Sequence, residues 1–531
     1  MFGRAMLRAI APGLVLCAAG AEAQARTRTT ISPYIEVDQT VVTDLKGGNG
    51  DVLTYTSVVA GVSANIATRR AEAQIDVQYE HQFGWNRATP DQDVLSGIAS
   101  ARYSLIPDKL SIEGGALATR ARTDGFNLGN GASAGSSTTQ VYSAYVGPTF
   151  TSRIGEFSVN AAYRLGYARV EDDVNFAGPS GLGAFSDSVF QSATASIGMQ
   201  PGVLPFGWAL GAGWDHEDTS ELDQRYDDKW IRGDVTVPVA PTLALVGGVG
   251  YERIRISQRG ALLDNNGFPV LGSGGRLVTD PTSPRLLAYD SDGLIWDAGV
   301  LWRPSRRTSL ELRVGRRYDS MHYVGSFSWQ PSPNSAVNIA LFDTVDSFGR
   351  ALGRNLDDLP TSFDARRNPF SGDLTGCVNG DQGGGACFND ALTGITSANY
   401  HHRGIAGQYS RTAGRWSMGA GAGYAQRKFI APNSSVFAAI NGAKDENYYA
   451  DLFAGYRFDN DASLDATVYG NFYNAGRGGI DVTNLGSYVT YSRSFGRRLS
   501  AQASLGVDSV DPAGLDAIIS ALGQVGMRYQ F

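Results

Sequence analysis

Ile518-Ile519-Ser520-Ala521-Leu522-Gly523-Gln524-Val525-Gly526-Met527-Arg528-Tyr529-Gln530-Phe531 alternates two kinds of residue. Ile519, Ala521, Gly523, Val525, Met527, Tyr529 and Phe531 make a largely apolar row, and Ser520, Gln524, Gly526, Arg528 and Gln530 a largely polar one that only Leu522 breaks. Successive side chains of a strand point to opposite faces, so this stretch predicts a strand greasy on one side and wet on the other. The pattern recurs upstream. Val159, Ala161, Tyr163, Leu165 and Tyr167 oppose Ser158, Asn160, Ala162, Arg164 and Gly166; Leu310, Leu312 and Val314 oppose Glu311, Arg313, Gly315 and Arg317. Leu452, Ala454, Tyr456 and Phe458 oppose Asp451, Gly455 and Arg457, with Phe453 out of phase.

Composition narrows the classes to which such strands can belong. The 531 residues include 66 Gly, 8 Trp, 24 Tyr and 23 Phe, with a formal charge of -7. A disordered chain would be poorer in aromatic residues, and a helical membrane protein would show apolar runs of roughly 20 residues, which are absent here. An acidic chain is a poor partner for nucleic acid, whose phosphates call for a basic surface. A soluble sandwich would need a dry core, yet one row of each strand carries charges. Together these features predict an all-β fold: a single large antiparallel transmembrane β-barrel.

The links between strands are of two kinds. Short turns fall at residues 106–109, 152–155, 304–307, 331–335, 412–415, 460–462 and 496–498, and longer Gly-, Asn-, Asp- and Ser-rich links lie between them, notably 259–293 and 346–399. Brief periplasmic turns alternating with long external loops are expected of such a barrel, and the sequence leaves open that 259–293 or the Cys-containing loop folds inward as a constriction. With the first strand near Ile31–Thr43, roughly 22 strands are expected, with 20 to 24 plausible, and no plug domain ahead of them. Val37–Thr43 superficially resembles the coupling box of energised outer-membrane receptors, but strand-like alternation starts there, so it is read as part of the first strand. Tyr103, Phe150, Phe157, Trp302, Trp329, Tyr409, Trp416, Phe458, Tyr491 and Phe495 flank short turns, as rings at headgroup level would. Residues 1–25, with Arg4 and Arg8 before an apolar stretch and small residues at Ala21 to Ala25, read as a secretory signal peptide, which leaves 26–531 for the barrel.

Two resemblances follow. Gln524, Gly526, Tyr529 and Phe531, in their spacing, resemble the C-terminal assembly signal of bacterial outer-membrane barrels. That resemblance implies the outer membrane of a Gram-negative bacterium, contact with its lipid and lipopolysaccharide, and delivery by the barrel assembly machinery. The hairpin Trp302–Tyr318 resembles a segment of outer-membrane β-barrel porins, some of which accompany exopolysaccharide or exosortase systems. It implies a polymer-linked role and no catalytic residues.

The residues themselves allow three functions. Glu113, Arg164, Glu311, Arg313, Arg317, Asp451 and Arg457 are expected to line the lumen, where both signs can set the field of a channel or pair and fill space. The first reading is a passive porin-like channel for small solutes, or a conduit linked to polysaccharide export. The second is a closed barrel acting as a surface anchor or interaction scaffold. A hydrolase is the weakest: His216 lies between Asp215 and Glu217, but no Gly-x-Ser-x-Gly elbow accompanies it. No cofactor is expected. The five histidines are expected near external strand ends, and neighbours such as His401 and His402 point to opposite faces, so no metal site is expected either. Cys377 and Cys387 lie in a polar loop where an exported chain can form a disulfide, and this stapled loop is preferred to a calcium site built from Asp373, Asn379, Asp381 and Asp390.

Overall fold

The structure is a computed structural model that describes all residues except 1–27, 48–51, 86–90, 123–137, 172–184, 273–275, 375–376, 381–384, 389–391, 393–394 and 477–478. The expected signal peptide, residues 1–25, therefore lies outside the described residues, as do Asp381 and Asp390. The first half of the wall contains β1 (Arg28–Lys46), β2 (Val52–Ala67), β3 (Ala71–Gly84), β4 (Gln92–Ile106), β5 (Leu110–Arg122), β6 (Thr138–Ile154), β7 (Phe157–Val170), β8 (Asp187–Met199), β9 (Gly207–Thr219), β10 (Gln224–Ala240) and β11 (Leu243–Gln258). It continues through β12 (Leu286–Ser305), β13 (Thr308–Arg317), β14 (Ser320–Ser332) and β15 (Ser335–Asp346). A long insertion then carries α1 (Phe348–Asp357), β16 (Phe363–Asp364), β17 (Cys377–Gly380) and β18 (Gly385–Cys387). The wall resumes with β19 (Asn399–Ala413), β20 (Trp416–Ile430), β21 (Lys444–Arg457), β22 (Ala462–Asn474), β23 (Val482–Phe495), β24 (Leu499–Pro512) and β25 (Ile518–Gln530).

Among the described residues the wall is a 22-stranded antiparallel sheet, and it closes because β1 pairs β2 on one edge and β25 on the other. Val37–Thr43 lies within β1, paired from Val37↔Met527 to Thr43↔Ala521. Closure of β1 on β25 leaves the sheet without first and last open edges, which lets it stand in hydrocarbon where unpaired backbone groups would each cost several kcal/mol. On β25, Val525 and Met527 are 60% and 53% exposed outside, whereas Ser520, Gln524 and Gly526 are buried against the lumen. Tyr103, Phe157, Trp302, Trp329, Trp416, Phe458 and Phe495 face outward beside the short turns. This apolar exterior with an aromatic girdle is the architecture of an outer-membrane barrel.

The two long links behave differently. Of the 259–293 link, the described residues 259–272 and 276–285 form a looped ribbon outside with bridges such as Ala261↔Thr279, while Leu286–Gly293 belong to β12. Ala261 and Leu277 of this ribbon pack with Phe437 and Ile440 of the β20–β21 link over the outer rim. Its Asp264 carboxylate is held below the usual range chiefly by the backbone N–H of Phe268. Residues 346–399 correct the expectation of an external loop, because from Ser347 the chain turns into the barrel. Ser347 caps α1, its hydroxyl accepting the backbone N–H of Arg350 at 3.3 Å. Phe348, Leu352, Leu356, Phe363 and Phe370 explain the inward course. Each is at most 3% exposed, and burying each such side chain is worth roughly 1.5–3 kcal/mol. The expectation of no plug domain concerned residues ahead of β1, which lie outside the described residues; the lumen holds this insert, which comes from within the barrel.

Candidate functional site

The insert is braced on both sides of the lumen. Against β5 to β8, the apolar face of α1 packs on Leu117, Val141, Tyr145, Ala168 and Phe190. A Cβ on Gly353 would collide with the Phe190 ring, so glycine there sets how closely the helix approaches the wall. Across the lumen, Phe370 and the two cysteines join Val42, Tyr449, Tyr469, Tyr488 and Leu522 in a second apolar cluster. Leu522, the break in the polar row, belongs to this cluster. Phe453 meets the insert directly, lying 3.6 Å beneath the Arg366 guanidinium.

Polar contacts tie the insert down along its length. Arg350 reaches Glu217 at 3.2 Å and lies 3.3 Å over the Tyr226 ring, an attraction between cation and ring face. Arg164 donates to Asp357 at 2.9 Å. Further along, Gln74 exchanges hydrogen bonds with the Phe363 backbone at 2.5 and 2.8 Å, Arg367 donates to Asp76 at 3.0 Å, and the Tyr55 hydroxyl donates to the Phe370 carbonyl at 2.8 Å. Cys377 and Cys387 sit opposite each other on β17 and β18, Cα atoms 4.0 Å apart, and are joined as a disulfide. Asp373 is taken up by Arg120, whose side chain it meets at 3.1 Å. That leaves it committed to an ion pair.

The insert leaves two cavities beside it. One, of about 280 Å3, lies toward β7–β15 and is lined by Phe190, Ile295, Leu341 and Phe342 together with Arg317 and Arg350. The other, of about 220 Å3, lies toward β1–β3 and β22–β25, among Glu36, Asp38, Glu80, Arg366, Arg367 and Arg528.

The lumen candidates occupy distinct places. Glu113 and Arg164 form one buried pair, which Arg102 approaches from the short-turn side at 3.4 Å. Glu311 and Arg313 belong to a buried network that the sequence reading missed: Arg313 contacts Glu311 at 2.7 Å, Asp234 at 2.9 Å and Asp297 at 3.1 Å, and Arg232 meets Asp234 and Asp297 at 2.7 and 2.5 Å. Buried charges persist only when paired in this way. Arg317 pairs with Glu252. Asp451 lies half-buried on the lumen face of β21, opposite Gly421 and close to the disulfide. Arg457 is on the same strand face but exposed near the short-turn end, apart from the others. The missed charges carry period-two alternation of their own, with the base Arg232 and the acid Asp234 two apart on β10.

His81, His216, His322 and His401 lie toward the external ends of their strands and contact carboxylates: His81 with Asp93, His216 with Asp218 and Asp227, and His322 and His401 with Asp343. His402 is buried beside Phe342 and Tyr400. Among the described residues no group of three or more metal-binding side chains converges.

No protein-family model matches the chain, and no curated protein matches it. Among solved structures it is similar to the ferric-catecholate import receptor Fiu of E. coli K12 in its open form, at 10% identity over 94% of this chain and 81% of that one, with a TM-score of 0.45. It is also similar to the FrpB iron transporter of Neisseria meningitidis, at 12% identity, coverages of 94% and 82%, and a TM-score of 0.43. A third is the alcaligin outer-membrane receptor FauA of Bordetella pertussis, at 13% identity, coverages of 94% and 76%, and a TM-score of 0.41. At these identities no residue role carries over.

Proposed function

We propose that the protein is an outer-membrane transport barrel that passes small solutes through a lumen narrowed by its own 347–398 insert, with no chemical step. The observation that carries this reading is the bracing of the insert against both walls, with a cavity left on each side. A polysaccharide conduit needs a continuous wide bore, so export of a polymer would require the insert to withdraw. Small solutes need only the space beside it. The internally satisfied network of Arg232, Asp234, Asp297, Glu311 and Arg313 favours a second reading, a rigid closed scaffold.

Conductance of the refolded full-length protein in planar bilayers tests both. The transport reading expects small discrete openings, rising by about tenfold when residues 348–397 are replaced by a short Gly-Ser link between the paired ends Asp346 and Tyr400. A silent wild-type protein at every voltage and salt, with a conducting replacement, would establish the scaffold instead.

A further inference from the structure

In hydrocarbon, backbone N–H and C=O groups on a bare strand edge have no water to turn to. Between β14 and β15 the register runs only from Ser332↔Ser335 to Gly325↔Leu341, although β14 reaches back to Ser320 and β15 runs on to Asp346. On their far edges the same stretches are paired, from Arg317↔Ser320 with β13 and to Asp346↔Tyr400 with β19. The wall therefore has a seam here, two strand edges facing each other without a shared ladder. Val345 packs with the lumen-side Tyr226, Ile254 and Tyr318, which draws the end of β15 inward behind β14.

Side chains hold this seam. Arg403 donates to the Met321 carbonyl at 2.9 Å and the Ser320 hydroxyl at 2.6 Å. Asp343 joins His401 at 2.5 Å, Arg403 at 3.1 Å and His322 at 3.5 Å. From the insert, Arg350 donates to the Val345 carbonyl at 3.2 Å.

The seam opens at the outer margin of the bilayer. Trp329 marks the short-turn girdle, and Met321 and Tyr323 still face outward at 47% and 44% exposure, with the exposed Arg316 paired to Met321. At about 3.3 Å per residue and a tilt of about 40°, Met321 stands about 20 Å above Trp329, near the outer edge of an apolar band roughly 25 Å tall. Behind the seam is the larger cavity, lined by Val324, Leu341, Phe342 and Val345 of the seam strands and by the guanidinium groups of Arg313, Arg317 and Arg350. A cavity that offers both an apolar part and charged groups matches a molecule with an apolar chain and a polar head.

We propose that the β14/β15 seam is a lateral portal through which an amphiphile bearing an acyl chain passes between the lumen cavity and the outer leaflet. The chain lodges between Val324 and Phe342 while the head enters the charged part of the cavity. This goes beyond conduction of small solutes along the barrel axis.

Palmitic acid carrying a terminal diazirine, photolysed with the full-length protein in phosphatidylcholine vesicles and followed by peptide mapping, tests the portal. Adducts are expected on Val324, Leu341 and Phe342. Ser326→Phe and Thr344→Phe, which place a ring in the half-open cavity lining, each reduce those adducts by about tenfold while leaving adducts on the outward Leu312 unchanged. Heat-modifiable migration on gels reports whether each variant is folded, and either one suffices. Labelling confined to outward residues such as Leu312 and Tyr323, or unaffected by both substitutions, overturns the portal. A protein labelled at the seam that never conducts would sink the small-solute reading alone.

Discussion

The wall has a second seam, and the two are closed by different means. Between β4 and β5 the register stops at Gly97↔Ala118, although β4 begins at Gln92 and β5 ends at Arg122. There the insert lies across the gap. Asp373 accepts the Arg120 backbone N–H at 3.1 Å, the Ser371 carbonyl accepts from the Arg120 guanidinium at 2.6 Å, and the Gly372 carbonyl accepts the Ser96 hydroxyl at 2.9 Å. Gln140 caps the Leu95 carbonyl at 2.6 Å, and Ile98, Leu117 and Ala121 join the cluster around α1. At β14/β15 the insert contributes Arg350, which reaches the Val345 carbonyl, and Arg354, which pairs with Asp346, and behind the strands is the larger cavity. An edge covered by backbone and packed side chains is closed for good, whereas an edge stitched by a few side chains over a cavity can open.

Measurements of unfolding and exchange can break this contrast. The largest effect is expected from Asp373→Ala, which strands a buried guanidinium and an edge amide at β4/β5: a loss of about 3–5 kcal/mol in urea unfolding followed by tryptophan fluorescence in vesicles. Removing the disulfide with Cys377→Ser and Cys387→Ser together releases a short loop and should cost about 2–3 kcal/mol by the chain-entropy estimate, read in the same way. Arg403→Ala, at a partly exposed stitch of β14/β15, should cost only about 1 kcal/mol. Equal losses for Asp373→Ala and Arg403→Ala would abolish the distinction between the seams. The smallest signal is local: amides of Ser320–Val324 should exchange hydrogen faster than those of Gln92–Ser96, and the reverse order would assign the looser seam to β4/β5.

Much of the wall was legible from the sequence because one rule, alternation between lipid and lumen, governs every strand. Ile519 to Phe531 follow it, and so do Leu310 to Arg317, so the exterior could be read and the strand number bracketed between 20 and 24, since a hairpin hidden in a long link shifts the count by two. The insert was not, since a polar, glycine-rich link has no period to betray where it goes. Its trace lay in the wall instead. Leu522 and Phe453 read as lapses in a wet face, yet Leu522 belongs to the apolar cluster that takes in Phe370 and the two cysteines, Phe453 lies under Arg366, and Phe190 and Tyr226 are further aromatic residues on lumen rows that meet the insert. Pairing of Arg313 with Asp234, 79 positions away, depends on strand register, which one-dimensional alternation does not specify.

Tyr55 meets Phe370 across 315 positions of chain, and Gln74 meets Phe363 across 289. The insert also touches β21 and β23 through Phe453 and Tyr488. Such contacts exist only once both arcs of the sheet curve around the same object. The insert therefore serves as a mandrel: it rewards curvature before the first and last strands meet, and a chain lacking it must find its circumference by edge pairing alone, a search through distant partners that is intrinsically slow.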